Sequence, residues 1–396
     1  MFTPKWKKEA KLLHKGAKKF IDYKRDLLKE DRIEEIESRR ADLLEAVKSD
    51  DKPRAEEASK QLRNTCEKAL PHFPQQSAWE ENVEVIFVAL VVALGLRAYV
   101  VQPFRIPTNS MQPTLNGINI RQPADYKEPW FGKRALDFVL RGSSYPDIVA
   151  KNDCTVVDFR DASWFLFTRT EVALSDGSKI KIAAPEGEVQ GSLNQPGTPP
   201  GMFRSKVFKK GDPILRGRVD SGDLVLVDKV SYHFRKPKRG EVFVFDTRGI
   251  LTGGRKTGPM ADQEGTHYIK RLSGVPGDTL SITPPNLWVN GRISQEPGNQ
   301  RVIRAEGLYH EFNPNGYQLP DPNARGRYPC PLSSEGQEFH LADQAAPGMR
   351  EYAALGDNTK NSLDSRYWGS VKEFNLAGPA LFSLWPITSG HWGFIR

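Results

Sequence analysis

The sequence EVIFVALVVALGLRAYVVQPFRIPTNSMQPTL, residues 84–115, joins an apolar segment to a loop that carries one serine, Ser110, between two prolines. The charge-free part of the apolar segment, residues 85–96, is about a dozen residues long, which suits a buried helix as well as a membrane span. Glu84 and Arg97 flank it. Because a long arginine side chain can reach the membrane interface, about twenty residues can still cross. We therefore predict one transmembrane helix over residues 83–101, ended by Pro103.

Residues 1–80 precede this helix and are dominated by Lys, Arg, Glu and Asp. Their apolar residues recur at helical spacing, which predicts an extension of amphipathic helices. The charged side of these helices is either a solvated surface or a surface that binds lipid or an unknown partner. No apolar stretch follows the basic start, so a signal peptide is not predicted. The Lys-rich N-terminal side predicts a cytoplasmic N-terminus, with residues after Gln102 across the membrane.

Residues 102–396 consist of short apolar or alternating runs that are bounded by Gly, Pro, Asn and Asp. Examples are DLVLVDKVSY at residues 223–232, EVFVFDTR at 241–248 and DTLSITPP at 278–285. Such runs are typical of strands, so the predicted fold class is a mainly β region of antiparallel sheets. The segments at about 117–212 and 295–350 are rich in Pro, Gly and polar residues, and we interpret them as insertions or long loops.

Composition narrows the function only partly. The chain has 396 residues, a net charge of +8 and a pI of about 9.2, which fits nucleic acid, anionic lipid or no specific partner. Its three cysteines form no C-x-x-C pair, and Cys154 and Cys330 are predicted either to pair or to remain thiols. The sequence contains neither a G-x-x-x-x-G-K phosphate loop nor an H-E-x-x-H metal helix.

Two further sequence blocks give Ser110 a chemical context. A serine hydroxyl is a weak nucleophile and needs a base. Lys270, in HYIKRLSGVPGD at residues 267–278, follows an apolar strand-like pair, and burial there would destabilise its ammonium. His267 is three residues away and would face the other side of a strand, which disfavours it as the partner of Lys270. A polar run, ALGDNTKNSLDSRYWGSV at 354–371, is either a surface loop or a source of hydroxyl and carboxylate groups that orient the lysine.

Together these blocks resemble those of bacterial type I signal peptidases, membrane-bound endopeptidases that use a serine and a lysine. The resemblance comprises FRIPTNSMQPTL, SGDLVLVDKVSY, KRGEVFVF with YIKRLSGVPGD, and GDNTKNSLDSRYWG, in the order of the family and after an apolar helix. It implies the signal-peptidase β fold, which is shared with LexA-like self-cleaving repressors. About half of the chain is covered, without the N-terminal helices and the two insertions.

The resemblance also implies roles for individual residues. Ser110 would be the nucleophile and Lys270 the general base, while the Ser110 amide and the Thr108 hydroxyl would form the oxyanion hole. By this resemblance, serine usually stands at the position of Thr108 and glycine or a similarly small residue at that of Asn109, which implies an altered rim of the pocket. Ser362 would hydrogen-bond the Lys270 amine. The residues expected to brace the site electrostatically are Asp357, Asp364, Arg271 and Arg366.

Substrates and location follow from the same resemblance. Exported preproteins would be cut after small residues in an Ala-x-Ala pattern, in shallow apolar pockets lined by Phe104, Ile106, Tyr268 and Ile269. The enzyme would be a single-pass protein of the bacterial cytoplasmic (inner) membrane, with an extracytoplasmic catalytic region at residues 102–396. The lipid bilayer is a further partner, and the apolar run at residues 164–167 either dips into it or forms a buried strand. No cofactor, metal or nucleic acid is expected.

Two other functions remain open from the sequence. A self-cleaving protease of the repressor type would need a DNA-binding module and no membrane span. A catalytically silent, membrane-tethered β module that binds a partner through its helices would need no serine, lysine or bracing loop. A relative that uses histidine as its base, as in the endoplasmic reticulum, would carry histidine in place of Lys270.

Overall fold

The computed structural model describes residues 4–70, 78–164, 166–199, 202–250, 266–324 and 328–395. The chain divides into two compact units, residues 1–90 and residues 91–396. Each unit is described by itself.

The first unit contains three amphipathic helices: α1 (Lys5–Lys24), α2 (Glu30–Lys48) and α3 (Lys52–Ala69). Their apolar sides share a core in which Ile36, Leu43 and Leu62 are fully buried. Helix α3 begins where Asp51 accepts a hydrogen bond from the Arg54 N–H at 3.0 Å, which is a typical N-cap. The helical pattern of the sequence is therefore present at residues 5–69.

Helix α4 (Ala78–Tyr99) runs through the boundary between the two units. Its stretch at residues 81–99 has a mean hydropathy of 1.8 and no buried part, so among the described residues it alone is long and apolar enough to cross a membrane. The helix ends two residues earlier than predicted, because Val101 already belongs to the first strand.

The main sheet of the second unit is antiparallel and holds the two key sequence blocks. Its strands are β1 (Val101–Arg105), β11 (Leu224–Asp228), β12 (Val242–Asp246), β13 (His267–Gly274), β18 (Glu351–Leu355), β19 (Val371–Lys372), β20 (Leu376–Trp385) and β21 (Gly393–Phe394). Their order across the sheet is β1, β11, β20, β12, β13, β18, β19, with β21 paired to β20. Val225, Val227, Val242 and Val244 form part of its core. Strands far apart in the sequence are therefore neighbours here.

The segment interpreted as an insertion at about 117–212 has more regular structure than long loops. It contains β2 (Asn119–Arg121), α5 (Phe131–Arg141), β3 (Ser143–Ser144), β4 (Asp147–Val149), β5 (Cys154–Asp161), β6 (Thr170–Leu174), β7 (Lys179–Ile182), α6 (Glu186–Leu193) and β8 (Val207–Phe208), followed by β9 (Pro213–Arg216) and β10 (Arg218–Asp220). These elements enclose a separate core with Val172, Leu174, Val189 and Leu193. Turn residues separate the short strands, which explains the loop-like composition.

Other elements complete this unit. They are α7 (Ser231–Phe234), β14 (Thr279–Thr283), β15 (Asn286–Val289), β16 (Arg292–Ile293), α8 (Pro297–Arg304), α9 (Leu308–Phe312), β17 (Phe339–His340) and α10 (Ser365–Trp368). Strands β14 to β17 form one sheet over a core that includes Tyr317 and Leu332. The insertion at about 295–350 thus supplies α8, α9 and β17. Cys154 and Cys330 are both buried, and no disulfide joins them.

Candidate active site

Ser110 lies in the loop between β1 and β2, and this loop is anchored in the core of the main sheet. Ile106, Met111 and Leu115 are buried in that core on both sides of the serine. Ser110 itself is buried, with 6% of its surface exposed. These three buried apolar residues of FRIPTNSMQPTL therefore fix the loop, and Ser110 is held between them.

Lys270 lies in the middle of β13, where it is paired with Phe243 of β12. Its Nζ is 2.5 Å from the Ser110 Oγ and 3.1 Å from the carbonyl oxygen of Ile269. Burial lowers the pKa of Lys270 to about 8; the charges of Asp364 and Asp357 act in the opposite direction, and Arg366 lowers it further. At pH 7 about a tenth of such amines are neutral, against fewer than about one in a thousand at the ordinary pKa of 10.5.

Arg271, the neighbour of Lys270, forms a buried ion pair with Asp357. Arg271 Nε donates to one carboxylate oxygen at 2.8 Å, and a terminal nitrogen donates to the other at 2.5 Å. Thr114 also donates to this carboxylate. Burial alone would lower the pKa of Arg271, but the charge and hydrogen bonds of Asp357 outweigh it and raise the pKa. Arg271 therefore stays charged, and its hydrogen bonds to Asp357 fix β13 against residues 356–358.

A second buried pair, Arg366 with Asp364, stabilises the polar run at 354–371. Arg366 donates twice to the Asp364 carboxylate, each time at 2.8 Å. It also donates to the carbonyl oxygens of Thr359 and Ser362 at 2.9 and 3.2 Å. Asp364 accepts a further bond from the Gly356 N–H at 3.0 Å. The run at residues 354–371, which was predicted to be either a surface loop or a source of groups that orient the lysine, is therefore held together by its own ion pair.

The same run holds the backbone of the Ser110 loop. Asn358 N–H donates to the Ser110 carbonyl oxygen at 3.0 Å, and Asn358 Nδ2 donates to the Asn109 carbonyl oxygen at 3.1 Å. At Gly356 an added Cβ would lie 2.1 Å from the Ser362 Oγ and 2.6 Å from the Ser110 carbonyl oxygen. Only glycine fits at this close approach.

Ser362 differs from the expectation. Its Oγ is buried and makes no hydrogen bond within the described part of the chain, so the expected bond to the Lys270 amine is not formed in this structure. The reason is that Nζ is directed at Ser110 and at the Ile269 carbonyl instead. Ser362 nevertheless packs beside Gly356 and the Ser110 backbone.

The predicted substrate-binding residues fall into two groups. Phe104, Ile106 and Ile269 belong to the core around Ser110. Tyr268 lies against Trp368, with 6.0 Å between ring centroids, and its own ring centroid is 5.4 Å from the Lys270 Nζ. His267 packs against Phe104, with 5.0 Å between the ring centroids. Thr108 is exposed.

Sequence reasoning missed several residues that shape the site. Asn358 and Thr114 were not singled out, although both lie inside quoted blocks. Asn109 was noted only as an unusual neighbour of Ser110, yet its buried side chain bonds to Gly117, Asn119 and Glu188. Asn358 follows Asp357 directly, and this position could have marked it as a site residue. No feature of the sequence connects Glu188 with Ser110.

Comparison with known proteins agrees with the geometry. The family model for signal peptidase, peptidase S26, matches residues 79–136 and 216–385, which is more than half of the chain. The chain belongs to the signal peptidase, peptidase S26, family. The match omits residues 1–78 and 137–215, and it does not favour a repressor-type protease or a silent β module.

Individual relatives are similar over less than half of this chain. A probable signal peptidase I-2 from Synechocystis sp. is 31% identical over 165 residues, which cover 42% of this chain and 56% of the relative. The signal peptidase I of Pseudomonas aeruginosa is 29% identical over 207 residues, or 46% of this chain and 65% of the relative. The chain thus spans less than two thirds of the length of these two relatives. A solved signal peptidase I from Enterococcus faecalis V583 matches 37% of this chain and 97% of its own, at 22% identity and a TM-score of 0.22.

Proposed function

We propose that this protein is a signal peptidase I that removes N-terminal signal peptides from exported preproteins, with Ser110 as nucleophile and Lys270 as general base. The observation that carries the proposal is the distance of 2.5 Å between the Lys270 Nζ and the Ser110 Oγ. A base must lie within hydrogen-bond reach of the proton that it removes, and its pKa should lie near the working pH. Lys270 meets both conditions, since its pKa is lowered to about 8.

The proposed reaction begins with a neutral Lys270 amine that accepts the Ser110 hydroxyl proton as Oγ attacks the scissile carbonyl carbon. Negative charge then develops on the carbonyl oxygen, where the Ser110 N–H and the Thr108 hydroxyl would donate. The lysine ammonium gives its proton to the leaving amine as the C–N bond breaks, which leaves an ester on Ser110. A water molecule next loses a proton to Lys270 and attacks the ester, and the acid product leaves as Oγ regains a proton.

The surrounding polar groups would support these steps without reacting. The buried pairs of Arg271 with Asp357 and of Arg366 with Asp364 fix charges around the amine. Once Ser110 is esterified, Oγ has no proton to share, and the Lys270 amine needs another partner. The unpaired Ser362 hydroxyl beside the Ser110 backbone is the proposed one.

Substrate choice would follow from the apolar surface next to Ser110. Phe104, Ile106 and Ile269 belong to one cluster around the nucleophile. Tyr268 belongs to a second cluster, and its ring centroid is 5.4 Å from the Lys270 Nζ. We propose that this surface accepts only small residues at the first and third positions before the cut, in the pattern Ala-x-Ala.

The proposed location is the bacterial cytoplasmic membrane, crossed once by α4, with the N-terminus in the cytoplasm and the catalytic region outside. Helix α5 supports contact between that region and lipid, because an acidic residue of this helix is buried while its large apolar residues are exposed. Asp137 is buried and accepts a hydrogen bond from the Tyr145 hydroxyl at 2.6 Å. By contrast, Phe131 is 84% exposed, and Phe138 and Val139 are each 58% exposed. A helix that presents its apolar side outwards is typical of a membrane interface.

This apolar surface continues onto the main sheet. Pro103 pairs with Leu226, Leu226 with Phe382, and Phe382 with Phe394, so these four side chains share one side of the sheet. Strand β1, which begins directly after α4, thus belongs to the same surface. The run at residues 164–167 is a weaker second contact: Trp164 and Phe167 are exposed, and Phe165 lies outside the described residues.

The test is cleavage of a preprotein by the purified full-length protein in detergent or vesicles. Ser110→Ala and Lys270→Ala should each abolish cleavage, because one removes the nucleophile and the other the base. Ser334→Ala and Lys181→Ala, which change exposed residues of the same types, should cleave like wild type. Undiminished cleavage by the Ser110 or Lys270 variant would refute the mechanism, and an inactive wild type would favour a silent membrane-tethered module.

A further inference from the structure

Residues 137–215, which the family match omits, reach the nucleophile loop through one carboxylate. This carboxylate belongs to Glu188 of α6, and its Oε1 lies 3.2 Å from the Nδ2 of Asn109, the residue directly before Ser110. Glu188 and Asn109 are 79 positions apart in the sequence. The contact is therefore a tertiary link between the insertion and the loop that carries the nucleophile.

The Asn109 side chain uses all of its hydrogen-bonding groups. Nδ2 donates to the Asn119 Oδ1 at 2.7 Å and to Glu188, while Oδ1 accepts from the Gly117 N–H at 3.0 Å. The side chain is also buried, with 8% of the residue exposed. A planar amide held by three partners in a buried position has one orientation.

The backbone of Asn109 is held from the opposite side. Its carbonyl oxygen accepts from the Asn358 Nδ2 at 3.1 Å and from the Gln112 N–H at 3.2 Å. A peptide unit is planar and trans, so the direction of this carbonyl also sets the direction of the Ser110 N–H. That N–H has no acceptor among the described residues, which leaves it available to a substrate oxygen.

We propose that Glu188 is a positioning residue: through the Asn109 side chain it holds the peptide between Asn109 and Ser110, and thereby aims the Ser110 N–H at the oxyanion. The proposal rests on the proposed function, in which this N–H stabilises the transition state. It also assigns the insertion at about 117–212 a role in catalysis, because Glu188 belongs to that segment. Asn109, the residue directly before Ser110, is the part of the loop that receives this support.

Glu188 is itself rigidly placed. Val189 and Leu193, on the same helix, are fully buried in the core of the insertion. Burial raises the pKa of the Glu188 carboxyl, while the hydrogen bonds from Asn109 and from the Ile120 backbone act in the opposite direction. Glu186, by contrast, is exposed and binds Gln190 of the same helix at 2.7 Å. Glu186 is therefore a matched control for loss of one carboxylate from α6.

The experiment measures kcat and KM for preprotein cleavage by the full-length protein and its variants. Glu188→Ala should lower kcat about 10- to 100-fold with KM changed less than about threefold, because a misaimed donor affects the transition state more than substrate binding. Glu188→Gln keeps an oxygen acceptor and should stay within about threefold of wild type. Glu186→Ala should match wild type.

A double-mutant cycle separates positioning from a general effect of the insertion. In an Asn109→Ala background, Glu188→Ala should cause no further loss of kcat, because the link is already broken. Equal losses from Glu188→Ala in both backgrounds, a loss confined to KM, or wild-type kcat in Glu188→Ala would each overturn the proposal. If Glu188→Ala does not fold, the proposal is tested with the other two variants. Glu188→Gln should then keep kcat within about threefold of wild type, and a wild-type kcat in Asn109→Ala would overturn the proposal.

Failure of the proposed function gives a different result. In that case the wild type does not cleave, or Ser110→Ala cleaves equally well. If cleavage depends on Ser110 but Glu188→Ala behaves like Glu186→Ala, only the positioning role of Glu188 is wrong.

Discussion

The Lys270 Nζ lies 2.5 Å from the Ser110 Oγ, although the two residues are 160 positions apart in the sequence. Lys270 is brought there by β13 in the main sheet, and Ser110 by a loop whose apolar residues are buried against the same sheet. The contact is buried, so the lysine is easier to deprotonate than one in water. The pair has the geometry and the proton affinity that a serine nucleophile requires.

Activity should depend on pH through Lys270. Only the neutral amine can accept the serine proton, so kcat/KM should rise with pH and level off above the lysine pKa. Because burial lowers this pKa to about 8, the midpoint should lie near pH 8, not near the ordinary value of 10.5. Below the midpoint the rate should fall about tenfold per pH unit. A midpoint above pH 10, or a flat profile between about pH 6 and 10, would contradict a buried lysine base.

The buried pair of Arg271 and Asp357 should contribute strongly to stability. Both side chains are fully buried, so Arg271→Ala leaves an unpaired carboxylate in the interior, and about 3–5 kcal/mol of unfolding free energy should be lost. Arg304, paired at 3.9 Å with Glu306, is the control: its side chain is 62% exposed, and Arg304→Ala should lose at most about 1 kcal/mol. Urea unfolding in detergent measures both, and equal losses would contradict the assignment.

Thr108 should act through its hydroxyl. Thr108→Val keeps the shape of the side chain but removes the proposed oxyanion donor, so kcat should fall about 100- to 1000-fold. Thr108→Ser keeps the hydroxyl and should remain within a few-fold of wild type. The measurement is kcat for preprotein cleavage, and wild-type turnover by Thr108→Val would remove Thr108 from the oxyanion hole.

Helix α5 should touch lipid through its apolar side. A fluorescent label on Phe138→Cys, in a Ser110→Ala, Cys66→Ser protein held at one copy per nanodisc, should shift to shorter wavelength and be quenched by lipid-borne quenchers. Lys133 is exposed on the polar side of α5. The same label on Lys133→Cys should therefore keep the emission wavelength of a label in water and should not be quenched. Two equally aqueous labels would show that α5 does not contact the bilayer.

The sequence predicted much of this architecture because its signals are local. The apolar run at residues 83–101, the alternating strands and the proline-bracketed serine each depend on neighbouring residues. The end of α4 was predicted two residues too late, since the pairing of Val101 with Asp228 of β11 starts a strand there. The bond from Ser362 to Lys270 was expected from the family resemblance and is not formed, because Nζ has nearer partners.

The membrane-helix candidate, the mainly β class, and the serine and lysine that the structure brings together could all be predicted from the amino-acid sequence. Folding was needed to reveal that Arg271 and Arg366 each have a buried carboxylate partner, that Asn358 holds two carbonyl oxygens of the nucleophile loop, and that Glu188 of the insertion reaches Asn109. The physical reason is that hydrogen bonds and ion pairs depend on distances of about 3 Å between side chains. Sequence spacing does not encode such distances when the partners lie on strands and helices that meet only after folding.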